Sequence, residues 1–262
     1  MCRRCHPQIF ARYDGEVGFK DHFSKQAADY RRFRPRYPAA LCSWLAAEAP
    51  ARALALDVAT GNGQAALELA AHFTRVLASD ASAQQLAQAE RHPRVTYLRH
   101  AAERLPVRSG AAELVAVAQA AHWFDLAPFY AEARRVLRPG GLIALWTYAT
   151  LSVDAAIDPL IEHFYSGVVG RYWPPERRLV ETGYRTLPFP FAELTPPACA
   201  LEASWTPEQL LSYLGTWSAV QRYRSVVGSD PLPALGAELA AAWPDGAPRP
   251  VRFPLHLRIG RV

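Results

Sequence analysis

Leu56-Asp57-Val58-Ala59-Thr60-Gly61-Asn62-Gly63 is the stretch that decides how this chain folds. An apolar run from Ala53 to Val58 stops at a glycine-rich turn, and an apolar segment at helical spacing continues through Phe73. That order reads as strand, tight turn, helix. Glycines at 61 and 63 let the backbone approach a ligand closely, and the helix behind the turn presents unpaired N–H groups to a polar or anionic group. Asp80, at the end of the next strand, is placed to accept hydrogen bonds from a ribose diol. Gly61-x-Gly63-x-x-Ala66 also satisfies the dinucleotide fingerprint, so glycines and ribose acid leave the nucleotide open. Asp57 discriminates. At the last turn of the first strand and pointing into the cleft, its carboxylate is of no use beside a pyrophosphate but favourable beside a cation.

Outward from this stretch the alternation continues. A helix over about 39–49 ends at Pro50. Val76 to Ser79 reads as the second strand, 82–91 as a helix, Val95 to Leu98 as the third strand and Leu114 to Ala118 as the fourth, with a helix expected between those two. A helix over 126–137 and a fifth strand from Leu142 to Tyr148 follow. Strands apolar on both faces, alternating with helices, predict an α/β fold with a doubly wound, mostly parallel sheet between helical layers. Beyond residue 150 prolines and aromatics cluster. The pieces at about 199–205 and 251–259 read as the last two strands of the sheet, and the segments near 207–226 and 233–243 as helical insertions covering its upper edge. Upstream, Ser24 caps a short helix carrying Phe23, Ala27 and Tyr30, closed by Pro35 and Pro38. The expected organisation is a tail over 1–21, a cofactor-binding core with a lid helix over 22–150, and the last strands with the substrate cover over 151–262.

Composition narrows the class. The 262 residues are 50% hydrophobic and 20% charged, which excludes collagen-like, disordered and disulfide-scaffold chains. No apolar run approaches the ~18 residues a spanning helix needs, because Gln119 and His122 interrupt the best one. Neither a membrane partner nor a secretory signal is expected, and the chain reads as cytoplasmic. Cys2, Cys5, Cys42 and Cys199 are too scattered for a disulfide framework. Cys2-Arg3-Arg4-Cys5-His6 matches a haem-attachment spacing, but that chemistry needs export, so the motif reads as part of an inert tail and no metal site is expected. The net charge is +5, yet Lys20 and Lys25 are the only lysines, and the arginines stand in short clusters with acidic residues between them. That spread reads as a solvated surface and not as a nucleic-acid track.

Asp57-Val58-Ala59-Thr60-Gly61-Asn62-Gly63 resembles the cofactor loop of the class I S-adenosylmethionine-dependent methyltransferases of the type 11 domain, with Ala59 where that family usually has its first glycine. Asp80 is similar to the family's ribose-binding acid. Ala102-Glu103-Arg104-Leu105-Pro106 is similar to the segment flanking the adenine, although Ala101 stands where an aspartate is common. Gln119-Ala120-Ala121-His122-Trp123-Phe124-Asp125 and Arg135-Val136-Leu137-Arg138-Pro139-Gly140-Gly141 resemble the motifs after strand four and before strand five. The His-Trp-Phe-Asp run, Tyr30 with Arg34-Pro35-Arg36-Tyr37-Pro38, Tyr172-Trp173 before Glu176-Arg177, and Thr216-Trp217-Ser218 resemble the trans-aconitate methyltransferase-like small-molecule branch.

The resemblance implies a seven-stranded Rossmann-like sheet with helical cap insertions and S-adenosylmethionine as cofactor. It places Asp57, Ala59, Thr60, Gly61, Asn62, Gly63, Asp80, Ala81, Ala102, Glu103, Gln119 and Ala120 around that cofactor, with Tyr30 and Arg34 closing over its methionyl end. It implies in-line methyl transfer to a small acceptor, through an oxygen nucleophile such as a carboxylate, in a monomer or homodimer. His122, at the carboxyl end of strand four, is the candidate base. Trp123, Tyr148, Tyr172, Trp173, Trp217, Arg171 and Arg177 are the candidate acceptor pocket, the arginines for a carboxylate. A nicotinamide-dependent oxidoreductase, an RNA-modifying protein and a non-catalytic cofactor binder are the competing readings.

Overall fold

The computed structural model of the chain describes residues 35–262. The lid helix expected around Tyr30, with Arg34 and the Cys2–His6 motif, lies outside the described residues. Helix α1 (Ala39–Glu48) leads into β1 (Leu54–Val58), and Gly63 opens α2 (Gln64–Ala70). Then come β2 (Arg75–Asp80), α3 (Ala83–Ala87), β3 (Val95–Arg99), β4 (Ala112–Ala118), α4 (Leu126–Val136) and β5 (Leu137–Thr147). Short helices α5 (Asp158–Glu162) and α6 (Arg177–Glu181) precede β6 (Ala192–Glu193) and β7 (Ala200–Trp205). Helices α7 (Pro207–Gly215), α8 (Ser218–Val227) and α9 (Leu232–Ala242) lead to β8 (Arg249–Pro254) and β9 (His256–Arg261).

Seven strands form one sheet in the order β3-β2-β1-β4-β5-β9-β6. Its first five are parallel, and β9 runs antiparallel to both neighbours. The alternation of side chains explains why both faces had to be apolar. Ala55, Leu114, Ala116, Leu142, Ala144 and Trp146 pack into one buried cluster with Leu41, Leu45 and Leu69 of the helices on that side. Leu56, Val58, Val115, Val117, Ile143 and Leu145 pack into a second cluster with Phe129, Ala133 and Val136 of α4. This is the doubly wound, seven-stranded sheet expected from the sequence.

Three expectations are corrected. The piece at 199–205 is not a strand of this sheet: β7 pairs antiparallel with β8 in a separate two-stranded ribbon. The piece at 251–259 is two strands, broken at Leu255 between Pro254 and His256, and only β9 joins the main sheet. The signal was in the alternation of β8, buried only at Val251 and Phe253, which marks a strand with one face to solvent. No helix separates β3 from β4 among the described residues. The backbone there is held from outside instead: Leu105 N–H donates to Glu132 (2.6 Å), and Arg135 donates to the carbonyls of Val107 (2.8 Å) and Leu105 (3.1 Å). With those groups satisfied by α4, no internal ladder is needed. Among the described residues no helix is long and apolar enough to cross a membrane.

Candidate functional site

Above the carboxyl ends of β1, β2, β4 and β5 lies a cleft of about 600 Å³. Its first wall is the turn after β1. Ala59, Gly61 and Gly63 all have left-handed backbone, at φ +56°, +60° and +89°. Gly63 N–H closes the turn on the Thr60 carbonyl (3.0 Å), and Thr60 N–H donates to the Ser79 carbonyl of β2 (2.9 Å). Only glycine suits position 63, because a Cβ there would sit 2.3 Å from the Tyr97 hydroxyl. Ala59 carries its Cβ in the left-handed region at a cost of roughly 1 kcal/mol, which is the physical sense of the glycine common at that position.

Asp80 ties the turn to the next loop. Its two carboxylate oxygens accept from Gly61 N–H and Ser82 N–H, both at 2.8 Å. A carboxylate oxygen accepts two hydrogen bonds, so this clamp is compatible with a diol at the cleft surface. Asp57 departs from expectation. It does not line the cleft but points, on the Ala55 face of β1, beneath the turn, fully buried. One oxygen accepts the Thr60 hydroxyl (2.5 Å), and Oδ1 has no partner. Burial pushes its pKa up to about 7, and the nearby charge of Asp80 adds to the rise. The Thr60 hydroxyl and the Ala66 backbone N–H oppose it. The period of the strand decided this outcome, because residues 55 and 57 share a face.

Thr60, Gly61, Asn62, Ala59, Asp80, Ala81, Ala102, Glu103, Gln119 and Ala120 all line the cleft, whereas Gly63 stands behind it as the first residue of the α2 cap. Gln119 is the third element of the floor. It is left-handed at φ +57°, and its amide is read from both ends: Oε1 accepts from Tyr148 N–H and the Thr147 hydroxyl, both at 2.8 Å, and Nε2 donates to the Tyr148 carbonyl (2.9 Å).

The far wall is aromatic. His122, Trp123, Tyr148, Trp173, Arg177 and Trp217 line it as expected, joined by Tyr37, Phe124 and Tyr213. Two candidates are excluded from it. Tyr172 is buried against Tyr223, and Arg171 stacks over the Tyr172 ring and donates to its hydroxyl (2.6 Å), away from the cleft. Arg177 is a wall residue. Its guanidinium lies 4.4 Å over the Trp173 ring, donates from Nε to the Tyr165 hydroxyl (2.7 Å) and from Nη2 to the Ala149 carbonyl. No carboxylate lies within ion-pair distance of it among the described residues; Glu181 meets Tyr165 instead. His122 turns Nδ1 to the hydroxyl of Tyr184 (2.8 Å), a fully buried residue that no sequence motif marked.

Glycine-lined backbone, a clamped carboxylate at the end of β2, the small wall Ala101-Ala102 and the unpartnered Nδ2 of Asn62 in the cleft lining fit an adenosyl ligand. The comparisons agree. A methyltransferase-domain family model matches residues 56–145. A Dictyostelium discoideum protein assigned as a methyltransferase is 31% identical over 251 residues, covering 93% of this chain and 95% of that one. An uncharacterized methyltransferase of Mycobacterium tuberculosis is 30% identical over 198 residues, covering 75% and 76%. Among solved structures, a protein of Anaeromyxobacter dehalogenans assigned as a type II methyltransferase superposes with a TM-score of 0.83 at 49% identity, over 87% of this chain and 98% of that one. The nicotinamide reading of the glycine turn falls with these matches, and the chain belongs to the class I S-adenosylmethionine-dependent methyltransferases, enzymes of methyl transfer.

Proposed function

We propose that the enzyme methylates an oxygen atom of a small carboxylic acid that has a flat, apolar body. The observation that carries this reading is Arg177, a cation in the cleft wall with no carboxylate partner among the described residues, its plane fixed by Trp173 and two hydrogen bonds. A guanidinium held that way is prepared for a planar anion. Trp123, Tyr148, Trp173 and Trp217 supply the apolar surface for the rest of the acceptor.

When bound, S-adenosylmethionine supplies an electrophilic methyl on a positive sulfur. Asp80 would hold the ribose, the Gly61 backbone and Asn62 the polar end, and Ala102 with Glu103 the adenine. Gln119 and Ala120 would form the floor, with Tyr30 and Arg34 as candidates for the methionyl end. Asp57 acts from beneath the turn, by charge and by holding Thr60. Because the methyl is already activated, alignment and exclusion of water by the aromatic wall account for most of the acceleration. A cleft of this size and lining supports the reading of a small-molecule acceptor.

A transfer screen with methyl-labelled donor over carboxylic acids, phenols and amines tests the reading. Label in carboxylic acids alone, or chiefly, is expected, with Arg177→Met raising the acceptor KM at least tenfold. Label confined to neutral phenols or amines would overturn it.

A further inference from the structure

Arg177 and Glu181 stand four residues apart on α6, the spacing at which a guanidinium and a carboxylate on a helix ordinarily meet. They do not meet here. The hydroxyl of Tyr165 stands between them, taking a hydrogen bond from Arg177 Nε (2.7 Å) and giving one to Glu181 Oε1. The direction of both bonds follows from the groups themselves. A guanidinium has no lone pair to offer, so the phenol oxygen accepts from it, and the one phenolic proton is left for the carboxylate. Tyr165 itself is buried and is not part of the cleft lining.

Tyr165 is held in that place from a different part of the chain. It lies on a π-helical turn, His163–Val168, that continues α5, and there Val169 N–H reaches back to the Phe164 carbonyl (3.0 Å). Single π turns are rare and recur at functional sites. The Tyr165 ring packs against Trp173 and Trp217, with centroids at 4.9 and 5.5 Å, and its carbonyl accepts from Trp173 Nε1 (3.3 Å). Trp173 is fixed by these contacts, and the Arg177 guanidinium lies 4.4 Å over its ring. Of the five N–H groups of that guanidinium, Nε–H goes to Tyr165 and one on Nη2 to the Ala149 carbonyl. Nη1 has no partner among the described residues, so the Nη1–Nη2 end, with one N–H from each nitrogen, is open to a bidentate carboxylate.

We propose that Tyr165 is a positioning residue for acid recognition: by standing between Arg177 and Glu181 it prevents an internal ion pair and leaves the guanidinium end to the carboxylate of the acceptor. This rests on the reading above of a small acid as acceptor and names what keeps its anchor available. A direct Arg177–Glu181 pair would draw on the same N–H groups, and an incoming acid would have to displace a carboxylate tethered one helical turn away, at high effective concentration. With the phenol interposed, Glu181 polarises the hydroxyl and strengthens its bond to Nε instead. The cation is oriented without being neutralised by contact.

The test compares the unaltered full-length protein with Tyr165→Phe and with Tyr165→Phe combined with Glu181→Gln. Phenylalanine keeps the ring contacts with Trp173 and Trp217; should Tyr165→Phe fail to fold, Tyr165→Met, which also lacks the hydroxyl and adapts to the gap, takes its place. The first reading needs no acceptor. A crystal structure of Tyr165→Phe is expected to show Arg177 and Glu181 as a direct ion pair, and a guanidinium still over Trp173 with Glu181 apart from it would overturn the proposal. The second uses the acid that takes up most label in the transfer screen. Its KM should rise about tenfold in Tyr165→Phe and return to within about threefold in the double variant, where no carboxylate is left to compete, with kcat and S-adenosylhomocysteine affinity changed less than about twofold throughout. A merely structural tyrosine would make the double variant no better than the single one, and that result would also overturn the proposal. If neutral phenols or amines alone take up label, the small-acid reading falls, while the crystal structure still decides whether Tyr165 keeps Arg177 and Glu181 apart.

Discussion

On the side of the cleft formed by the turns after β1 and β2, the ligand-facing chemistry is mostly backbone: left-handed Gly61, the N–H groups clamped by Asp80, and the small residues Ala81, Ala101 and Ala102. On the opposite side it is side chain: Trp173, Arg177, Tyr213 and Trp217, contributed by α6, α7 and the loops around them. The backbone side is shaped by bonds between adjacent strand ends, Gly61 to Asp80 and Thr60 to Ser79, and has little freedom to vary. The side-chain side is assembled from segments remote in sequence, and its pocket can change identity by substitution without disturbing the sheet. In the function proposed above, one half specifies the methyl donor and the other the acceptor.

The change with the largest expected effect tests whether the backbone half is as intolerant as that contrast requires. Gly63→Ala places a Cβ 2.3 Å from the Tyr97 hydroxyl at φ +89°. It should cost about 2–4 kcal/mol in thermal unfolding and weaken S-adenosylhomocysteine, measured by calorimetry, at least 100-fold. Adding Tyr97→Ala removes the clash but not the strain, so rescue should be partial. Full rescue would show that the turn is not shaped by its backbone.

Next in size, Asp80→Asn should weaken S-adenosylhomocysteine about 10- to 30-fold, since it replaces one accepting oxygen with a donor facing an N–H group. Trp173→Ala, across the cleft, should leave that affinity within about twofold and raise the acceptor KM instead. Equal losses in the two variants would erase the division between the halves.

The same contrast explains what could be read from the chain before its structure. The β1 turn, Asp80 and the floor at Gln119 are contiguous motifs whose residue types are dictated by conformation, so their places were legible. Asp57 was legible as important but not as buried, because the eye follows the motif and not the period of the strand that turns residue 57 under α2. Tyr184 carried no signal: a left-handed tyrosine after Gly183 becomes meaningful only when β9 and Arg258 close over it. Arg171 and Arg177 look alike in sequence, and only the fold separates them. The β7–β8 ribbon departs from the expected last two strands of the main sheet, and its half-buried alternation, visible at Val251 and Phe253, is the sign of a ribbon with one face to solvent.

A smaller effect probes the charge beneath the turn. Asp57 has its folded pKa raised to about 7 from 3.8 by burial, so the native state binds more protons than the unfolded state between those values. The contribution of this group to stability is thus full below about pH 4, declines as pH rises toward 7 and is flat above. The difference in stability between the native protein and Asp57→Asn should change by roughly 1 kcal/mol per pH unit within that window, in favour of the variant as pH rises. Binding of a cationic ligand over the turn favours the ionised carboxylate. Calorimetry near pH 7 in buffers of different ionisation enthalpy should show proton release on binding S-adenosylmethionine in the absence of acceptor, absent from Asp57→Asn. Proton uptake would mean that the ligand's charge does not reach Asp57.

The smallest expected effect is the one that best isolates the acceptor half. Arg171 and Arg177 flank the same aromatic cluster, and each guanidinium stacks on a ring and donates to a tyrosine hydroxyl. Only Arg177 lines the cleft. Arg171→Ala removes a charge from the outer side of Tyr172 and should shift unfolding by no more than about 0.5 kcal/mol, with kcat and acceptor KM unchanged within twofold. Since both substitutions remove one positive charge from neighbouring positions, a long-range field attracting an anionic acceptor would make them act alike, both losses fading together as salt was raised. Divergence already at low salt is expected, because recognition by a fixed planar cation depends on contact. Similar losses in the two variants, shrinking together as salt rises, would transfer the recognition of the acid from Arg177 to the surface charge around it.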